Sequence, residues 1–179
     1  MKYRIALVLF ILAVLSRLMP HWPNFTALGA VSLFGAAYLE RRWLAWATPF
    51  VAVFLSDLLL NNVVYSAYYT EFQWITSWYL YAALGLMVLL GVGVLGSRVT
   101  PQRVLASSLG ASVIFFLVTN FGTWANGFLY PKTAAGLASC YVAGLPYFGN
   151  TLSGDLFFSA VLFGGYAWVF RNRLVFVRN

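Results

Sequence analysis

Residues 104–129 read VLASSLGASVIFFLVTNFGTWANGFL, 26 positions in a row without an Asp, Glu, Lys, Arg or His. A helix needs about 20 consecutive apolar residues to cross a hydrocarbon core of about 30 Å, so the stretch predicts a membrane-crossing helix. The run is continuous and lacks the inside/outside alternation of a barrel strand, which argues against a membrane β-barrel. Composition points the same way: of 179 residues, 62% are hydrophobic, 19% aromatic and 8% charged, against about 25% charged in an ordinary soluble domain. Eleven Lys/Arg and four Asp/Glu cannot cover a water-soluble body of this length. The net charge of +7 raises nucleic-acid binding, but the bases are scattered rather than gathered in a stripe, so no nucleic-acid partner is expected.

Five further apolar stretches lie on either side: Ile5–Met19, Phe25–Leu39, Trp43–Leu60, Trp74–Gly96 and Gly149–Phe170. The reading is an all-α membrane protein, one domain over residues 1–179, with six transmembrane helices. The first two are separated by Pro20-His21-Trp22-Pro23-Asn24, whose prolines forbid a continuous helix and favour a helical hairpin. Pro49 falls inside the third span, where a kink is tolerable if neighbouring helices satisfy the freed carbonyl. The first span follows Lys2 and Arg4 as a signal peptide would. No A-x-A-like cleavage site follows it, however, and Arg17 stands where small residues would be needed, so it is read as retained.

Six spans sort the bases cleanly. Lys2, Arg4, Arg41, Arg42, Arg98, Arg103, Arg171, Arg173 and Arg178 share one side, leaving Arg17 and Lys132 for the other. The positive-inside rule then places both termini of this multi-pass protein in the cytoplasm. On this topology the inner connections are brief, while the outer ones are long and rich in aromatic and amide residues: 21–24, 61–69 and 130–147. The outer face is the expected working face.

Charge within a span costs at least about 2.5–3.5 kcal/mol at mid-bilayer on insertion scales. Arg17, Asp57 and Asp155 therefore need partners or a function, and all three are expected near the outer boundary. A structural ion pair joins Arg17 to Asp57 or Asp155 in this reading, and the remaining carboxylate is free for a polar ligand. Asn24, Asn61, Asn120, Asn126 and Asn150 supply donors and acceptors, and Trp124, Tyr141 and Tyr147 supply stacking surfaces. With Asp57 and Asp155 they form an expected ligand-binding wall for a ring-bearing polar molecule. Helix–helix packing and an interfacial aromatic belt are the competing explanations for each residue taken singly.

Cys140 falls in the last outer loop of this reading, where a soft thiolate could ligate a metal centre within a cofactor-like ligand. One Cys and one His exclude an internal disulfide and a Cys- or His-rich metal cluster, and no intrinsic cofactor is expected. Walker, G-x-S-x-G and H-E-x-x-H motifs are absent, so the chain does not hydrolyse ATP by itself and no enzyme is expected. Two readings from other classes stay open. One is a membrane enzyme acting on a lipid or isoprenoid at the outer leaflet through Asp57 and Asp155. The other is a non-catalytic structural subunit of a membrane complex.

The size, the six spans with both termini inside, the minimal inner loops and the elaborate outer ones resemble the substrate-binding S subunits of energy-coupling-factor (ECF) vitamin transporters. Locally, Pro23-Asn24-Phe25-Thr26, Ser32-Leu33-Phe34-Gly35-Ala36-Ala37-Tyr38, Ser56-Asp57, Val118-Thr119-Asn120-Phe121-Gly122, Tyr130-Pro131-Lys132-Thr133, Cys140-Tyr141, Gly144-Leu145-Pro146 and Asn150-Thr151-Leu152-Ser153-Gly154-Asp155 resemble a family of small bacterial membrane proteins to which transport is ascribed only in general terms. The resemblance implies capture of a vitamin- or cofactor-like small molecule from the outer face for uptake. It also implies a partner complex of transmembrane scaffold and ATPases. The sequence departs from S subunits at the docking stripe: A-x-x-x-A is missing from the first span, where Ala6 and Ala13 stand seven apart with Phe10 between them. A solitary transporter therefore stays open. Solitary cobalamin-specific relatives of S subunits give Cys140, by analogy, a reading as cobalt ligand of a cobalamin-like substrate.

Overall fold

A computed structural model describes residues 2–20 and 22–170. The described chain is helical, with no strand: α1 (Lys2–Leu18), α2 (Leu28–Tyr38), α3 (Arg42–Leu59), α4 (Trp78–Leu95), α5 (Pro101–Asn126) and α6 (Ala134–Ser159). A π-type turn, Leu60–Val64, prolongs α3, and another, Ala160–Gly164, carries α6 on into Gly165–Val169. Among the described residues four helices are long and apolar enough to cross a membrane: Arg42–Val64, Trp78–Leu95, Pro101–Asn126 and Ala134–Val169. They mark a membrane protein. The other two expected spans fall short of that standard. The 11 residues of α2 rise only about 16 Å, half a hydrocarbon core, and α1 has 17 residues with Arg4 and Arg17 among them.

Short as it is, α2 is the hub. Its sequence, LGAVSLFGAAY, carries no charge, and Leu28 to Ala36 are all buried. Helices α1, α3, α4, α5 and α6 pack against it, and neighbours around the ring follow the order α1, α3, α4, α5, α6. Leu9, Ala13, Val31, Leu33, Val53, Leu84 and Met87 fill the centre. Toward one end Phe34 and Tyr38 stack on Phe163 and Tyr166, with centroids 5.1 Å and 4.2 Å apart. The outward faces carry Leu7, Ile11, Leu86, Leu89, Leu105, Leu109 and Leu117, the surface a helix presents to lipid rather than to water.

The connections around residues 19–27, 65–77 and 127–133 share one end of the bundle, and those around 39–41 and 96–100 share the other. Arg17, on the last turn of α1, meets the last turns of α3, whereas the Arg41 guanidinium sits 5.6 Å over the Tyr3 ring at the opposite end. The prolines break the chain after α1 as expected. Asn24 takes up the turn with φ of 65°, a left-handed conformation Asn tolerates better than most residues. The Ala27 amide then donates to Ser16 Oγ at 3.0 Å, tying the start of α2 to the end of α1.

The largest departure from expectation is α6, which begins at Ala134 rather than Gly149, so most of the loop expected at 130–147 is helix. Thr133 caps it, its Oγ1 accepting from the Gly136 amide at 3.1 Å. Gly136, Gly144 and Pro146 give this stretch the local composition of a turn. Packing overrides that composition: at Gly144 the helix passes so close to α5 that a Cβ would fall 2.4 Å from Asn120 Oδ1. The other boundaries shift by a few residues, the start of α4 moving from Trp74 to Trp78.

Candidate functional site

Helices α5 and α6 run antiparallel, and their facing registers build a cavity of about 210 Å³ near the end that holds the 19–27 turn. Phe115, Phe116, Thr119, Asn120 and Thr123 come from α5, Gly144, Tyr147, Phe148 and Thr151 from α6, and Asn24 from the turn. On each helix these positions recur at three- and four-residue steps, which is one helical face. Phe116 and Phe148 form an aromatic corner with centroids 5.1 Å apart. Gly144 opens the space that a side chain would fill.

None of the ten lining residues is charged, so the cavity suits a neutral guest. Two threonines bond back to their own helices: Thr119 Oγ1 donates to Phe115 O at 2.7 Å and Thr151 Oγ1 to Tyr147 O at 3.1 Å. Asn120 does the same with Nδ2, donating to Phe116 O at 2.8 Å. Each keeps acceptor capacity, since hydroxyl and amide oxygens carry two lone pairs. Among the described residues, the side chains of Asn24, Thr123 and Tyr147 hydrogen-bond to nothing. The arrangement can accept from and donate to a polar ring edge while Phe115, Phe116 and Phe148 flank its apolar faces.

One turn beyond Thr151, Asp155 lies 3% exposed. Ser112 Oγ stands 2.7 Å from its Oδ2, and Gly29 of α2 receives the other side of the carboxyl. Ser108 and Ser159 continue the polar seam, their hydroxyls 2.8 Å apart.

A second polar cluster holds the end of α3. Arg17 Nη2 donates to Asp57 Oδ1 at 2.6 Å, and its Nη1 donates to Ser56 Oγ at 2.6 Å and Val53 O at 3.0 Å. Asp57 Oδ2 accepts from the Thr76 amide at 2.9 Å. Asn61 meets the Thr76 hydroxyl at 3.2 Å. Asn62 clamps Gln73 from both sides, Nδ2 donating to its carbonyl and Oδ1 accepting from its amide, each at 2.8 Å. The cluster pins residues 73–76 back onto α3, so Asp57 and Asn61 are occupied by the fold.

Of the expected ligand wall, the structure brings Asn24, Asn120 and Tyr147 together around the cavity and leaves the rest outside its lining. Trp124 Nε1 donates to Pro131 O at 2.9 Å, and Lys132 bonds the carbonyls of Trp124 and Gly127, so these residues close the α5–α6 connection. Asn126 donates back to Gly122 O at 2.9 Å, and Tyr141 Oη to Leu117 O at 2.9 Å. Asn150 is half-buried on α6 away from the cavity, and Asp155 lies beneath it. Asp57 and Asp155 do not share a cavity: one faces α1 and residue 76, the other α2 and α5.

Cys140 is corrected from loop to helix. It is 2% exposed, its Sγ is 3.4 Å from the Asn120 carbonyl, and it does not line the cavity. Among the described residues no three His, Cys, Asp or Glu gather as a metal site. His21, Arg171, Arg173 and Arg178 lie outside the described residues. Sequence reasoning missed Phe115, Phe116, Thr119, Thr123, Gly144, Phe148 and Thr151. Their signal is the helical spacing of 144, 147, 148 and 151 opposite 116, 119, 120 and 123, legible only once residues 134–148 are taken as helix.

The chain belongs to a family of unknown function, DUF6580, whose model matches residues 1–176. No curated protein and no solved structure matches it.

Proposed function

We propose that this member of the DUF6580 family captures a small, neutral, ring-bearing polar molecule in the α5–α6 cavity and carries it inward across the bacterial inner membrane. The observation that carries the reading is the lining: aromatic walls around Asn24, Thr123 and Tyr147, whose side chains hydrogen-bond to nothing else among the described residues. A volume of about 210 Å³ lies below the range of roughly 300–1,000 Å³ that holds drug-sized ligands. It suits a single ring and is far smaller than a corrinoid. With Cys140 buried on Asn120 and away from the lining, the proposal takes a vitamin-like ring and drops the cobalt ligand.

In this reading the chain crosses the membrane six times. α1 and α2 cross as shortened, shielded helices, since backbone at membrane depth is tolerated when protein surrounds it. The basic residues support cytoplasmic termini: Arg4, Arg41, Arg42, Arg98 and Arg103 lie toward one end of the bundle, Arg17 and Lys132 toward the other. The cavity then faces outward. The resemblance to ECF S subunits agrees with outer-face capture. Their docking to a scaffold finds no support, because Ala6 and Ala13 are buried inside the bundle and α1 exposes Tyr3, Leu7, Val8, Ile11 and Leu15 instead. The proposed import uses no ATPase partner.

The test is a melting screen of the detergent-purified protein against neutral single-ring polar compounds. A binder at one hundred times its Kd adds about 2.7 kcal/mol of stability. That gain should vanish in Thr123→Val and Tyr147→Phe, which break no internal bond and should leave unliganded melting unchanged. Shifts that persist in both variants would remove the cavity from the account.

A further inference from the structure

We propose that Asp155 is a proton-binding site at the foot of the cavity, carrying a proton on its carboxyl and exchanging it with water in the cavity. The inference rests on the reading of that cavity as open to small polar molecules. Asp155 is 3% exposed, and among the described residues no opposite charge faces it from any element packed around it. The ionisable side chain of α2 is Tyr38, at its far end. Between Arg103 and Asn126, α5 has none, and Phe25 and Thr26 at the adjoining turn are neutral. On α6 itself the nearest is Tyr147, about two turns away. Arg17 is bound to Asp57 on the α1–α3 side of the bundle. A carboxylate so placed has no cation to offset its desolvation.

The hydrogen bonds around the carboxyl supply a second argument. Among the described residues its one hydrogen-bond partner is Ser112 Oγ, 2.7 Å from Oδ2, and that hydroxyl lies 3.1 Å from Ser108 O. Ser108 O already accepts the Ser112 amide in the α5 ladder, so the hydroxyl can donate to an ionised Oδ2 or accept from a protonated one. As a carboxylate Asp155 has a single donor for two oxygens in an apolar interior; as an acid it donates to Ser112 Oγ, which donates in turn to Ser108 O.

Geometry also gives the proton a route. Thr151 lines the cavity and stands one turn above Asp155, about 6 Å along the helix. Below, Ser108 and Ser159 extend the seam, so the polar face of α5 from Thr123 to Ser108 covers about 22 Å, most of a hydrocarbon core. Release breaks the O–H bond at Oδ2, passes the proton to cavity water and leaves a carboxylate. Uptake reverses the step, and nothing else is transferred.

Infrared difference spectroscopy of the full-length protein in lipid nanodiscs at neutral pH tests the proposal. A protonated-carboxyl carbonyl band is expected that shifts on transfer to deuterated water and is lost in Asp155→Asn. Exchange should slow in Thr151→Leu, which obstructs the floor of the cavity. If Asp155→Asn fails to fold, Asp155→Glu assigns the band by displacing it. Absence of the band would show an ionised Asp155 and overturn the proposal. A band that never shifts would show a sealed structural acid and overturn it equally. Melting shifts with single-ring compounds in the same preparations are scored separately: a binder without the band sinks only the proton site, and an exchanging band without a binder sinks only the solute reading.

Discussion

Arg17 Nη2 and Asp57 Oδ1 stand 2.6 Å apart across 40 residues of sequence, joining the last turn of α1 to the end of α3. Asp57 is fully buried and the Arg17 side chain 12% exposed. The same carboxylate accepts from the Thr76 amide through its other oxygen, so one side chain holds together two helices and the segment that leads into α4.

Removing one member should therefore strand the other. Arg17→Met or Asp57→Leu is expected to cost about 3–5 kcal/mol, because breaking a buried pair leaves an uncompensated group. Arg17→Met combined with Asp57→Leu should recover part of that loss. A double-mutant cycle on unfolding in detergent or bicelles measures it, and additive losses would show that the two residues are uncoupled.

Asn62 makes the same kind of link without charge. Asn62→Ala removes both bonds to Gln73 and should lower stability by about 1–3 kcal/mol. The loss should be local: amide hydrogen exchange at residues 73–76 rises while exchange in α5 and α6 stays as before.

Gly29 is held to its residue type by Asp155, because a Cβ there would fall 2.1 Å from Oδ1 and 2.7 Å from Cγ. Gly29→Ala should destabilise the protein by about 1–3 kcal/mol, the range for overpacking a core. Shortening the opposing side chain in Gly29→Ala/Asp155→Ser should relieve the clash. Equal melting of the single and double variants would place the cost elsewhere.

Topology is checked by thiol labelling in a Cys140→Ser background. Tyr68→Cys, at a site 83% exposed, should react with an impermeant reagent added outside intact cells. Thr100→Cys, in the connection that shares its end with Arg41, should react only after permeabilisation. Outside labelling at position 100 would invert the proposed orientation. In the wild-type background Cys140 itself should resist the reagent until the protein unfolds, since its thiol is 2% exposed against α5.

The membrane helices were legible because lipid imposes a simple rule: long uncharged runs such as 104–129 have no other way to satisfy their backbone. That Arg17 needs an acidic partner was legible for a related reason, since unpaired charge is costly at that depth, but the choice of Asp57 over Asp155 was not. What stayed hidden depends on which neighbour each residue meets. Gly136, Gly144 and Pro146 look like loop punctuation by local propensity, yet close packing of α6 on α5 keeps that stretch helical. With the helix misplaced, Cys140 was put in a loop, and the faces of Thr119, Thr123 and Thr151 could not be aligned. Asp57 and Asn61 were read as ligand groups because nothing in sequence announces that residues 73–76 fold back onto them. α2 is a smaller shift: the apolar run was expected as a short span from Phe25 to Leu39, whereas the helix covers Leu28–Tyr38, 11 residues.

Native mass spectrometry of the protein released directly from expressing membranes tests the central claim, that the α5–α6 cavity holds a small neutral ring-bearing molecule. The wild type should carry one such molecule, and occupancy should fall in Tyr147→Phe and Thr123→Val while both variants remain folded. A bound molecule that is large or charged, or one retained equally by both variants, would contradict the account.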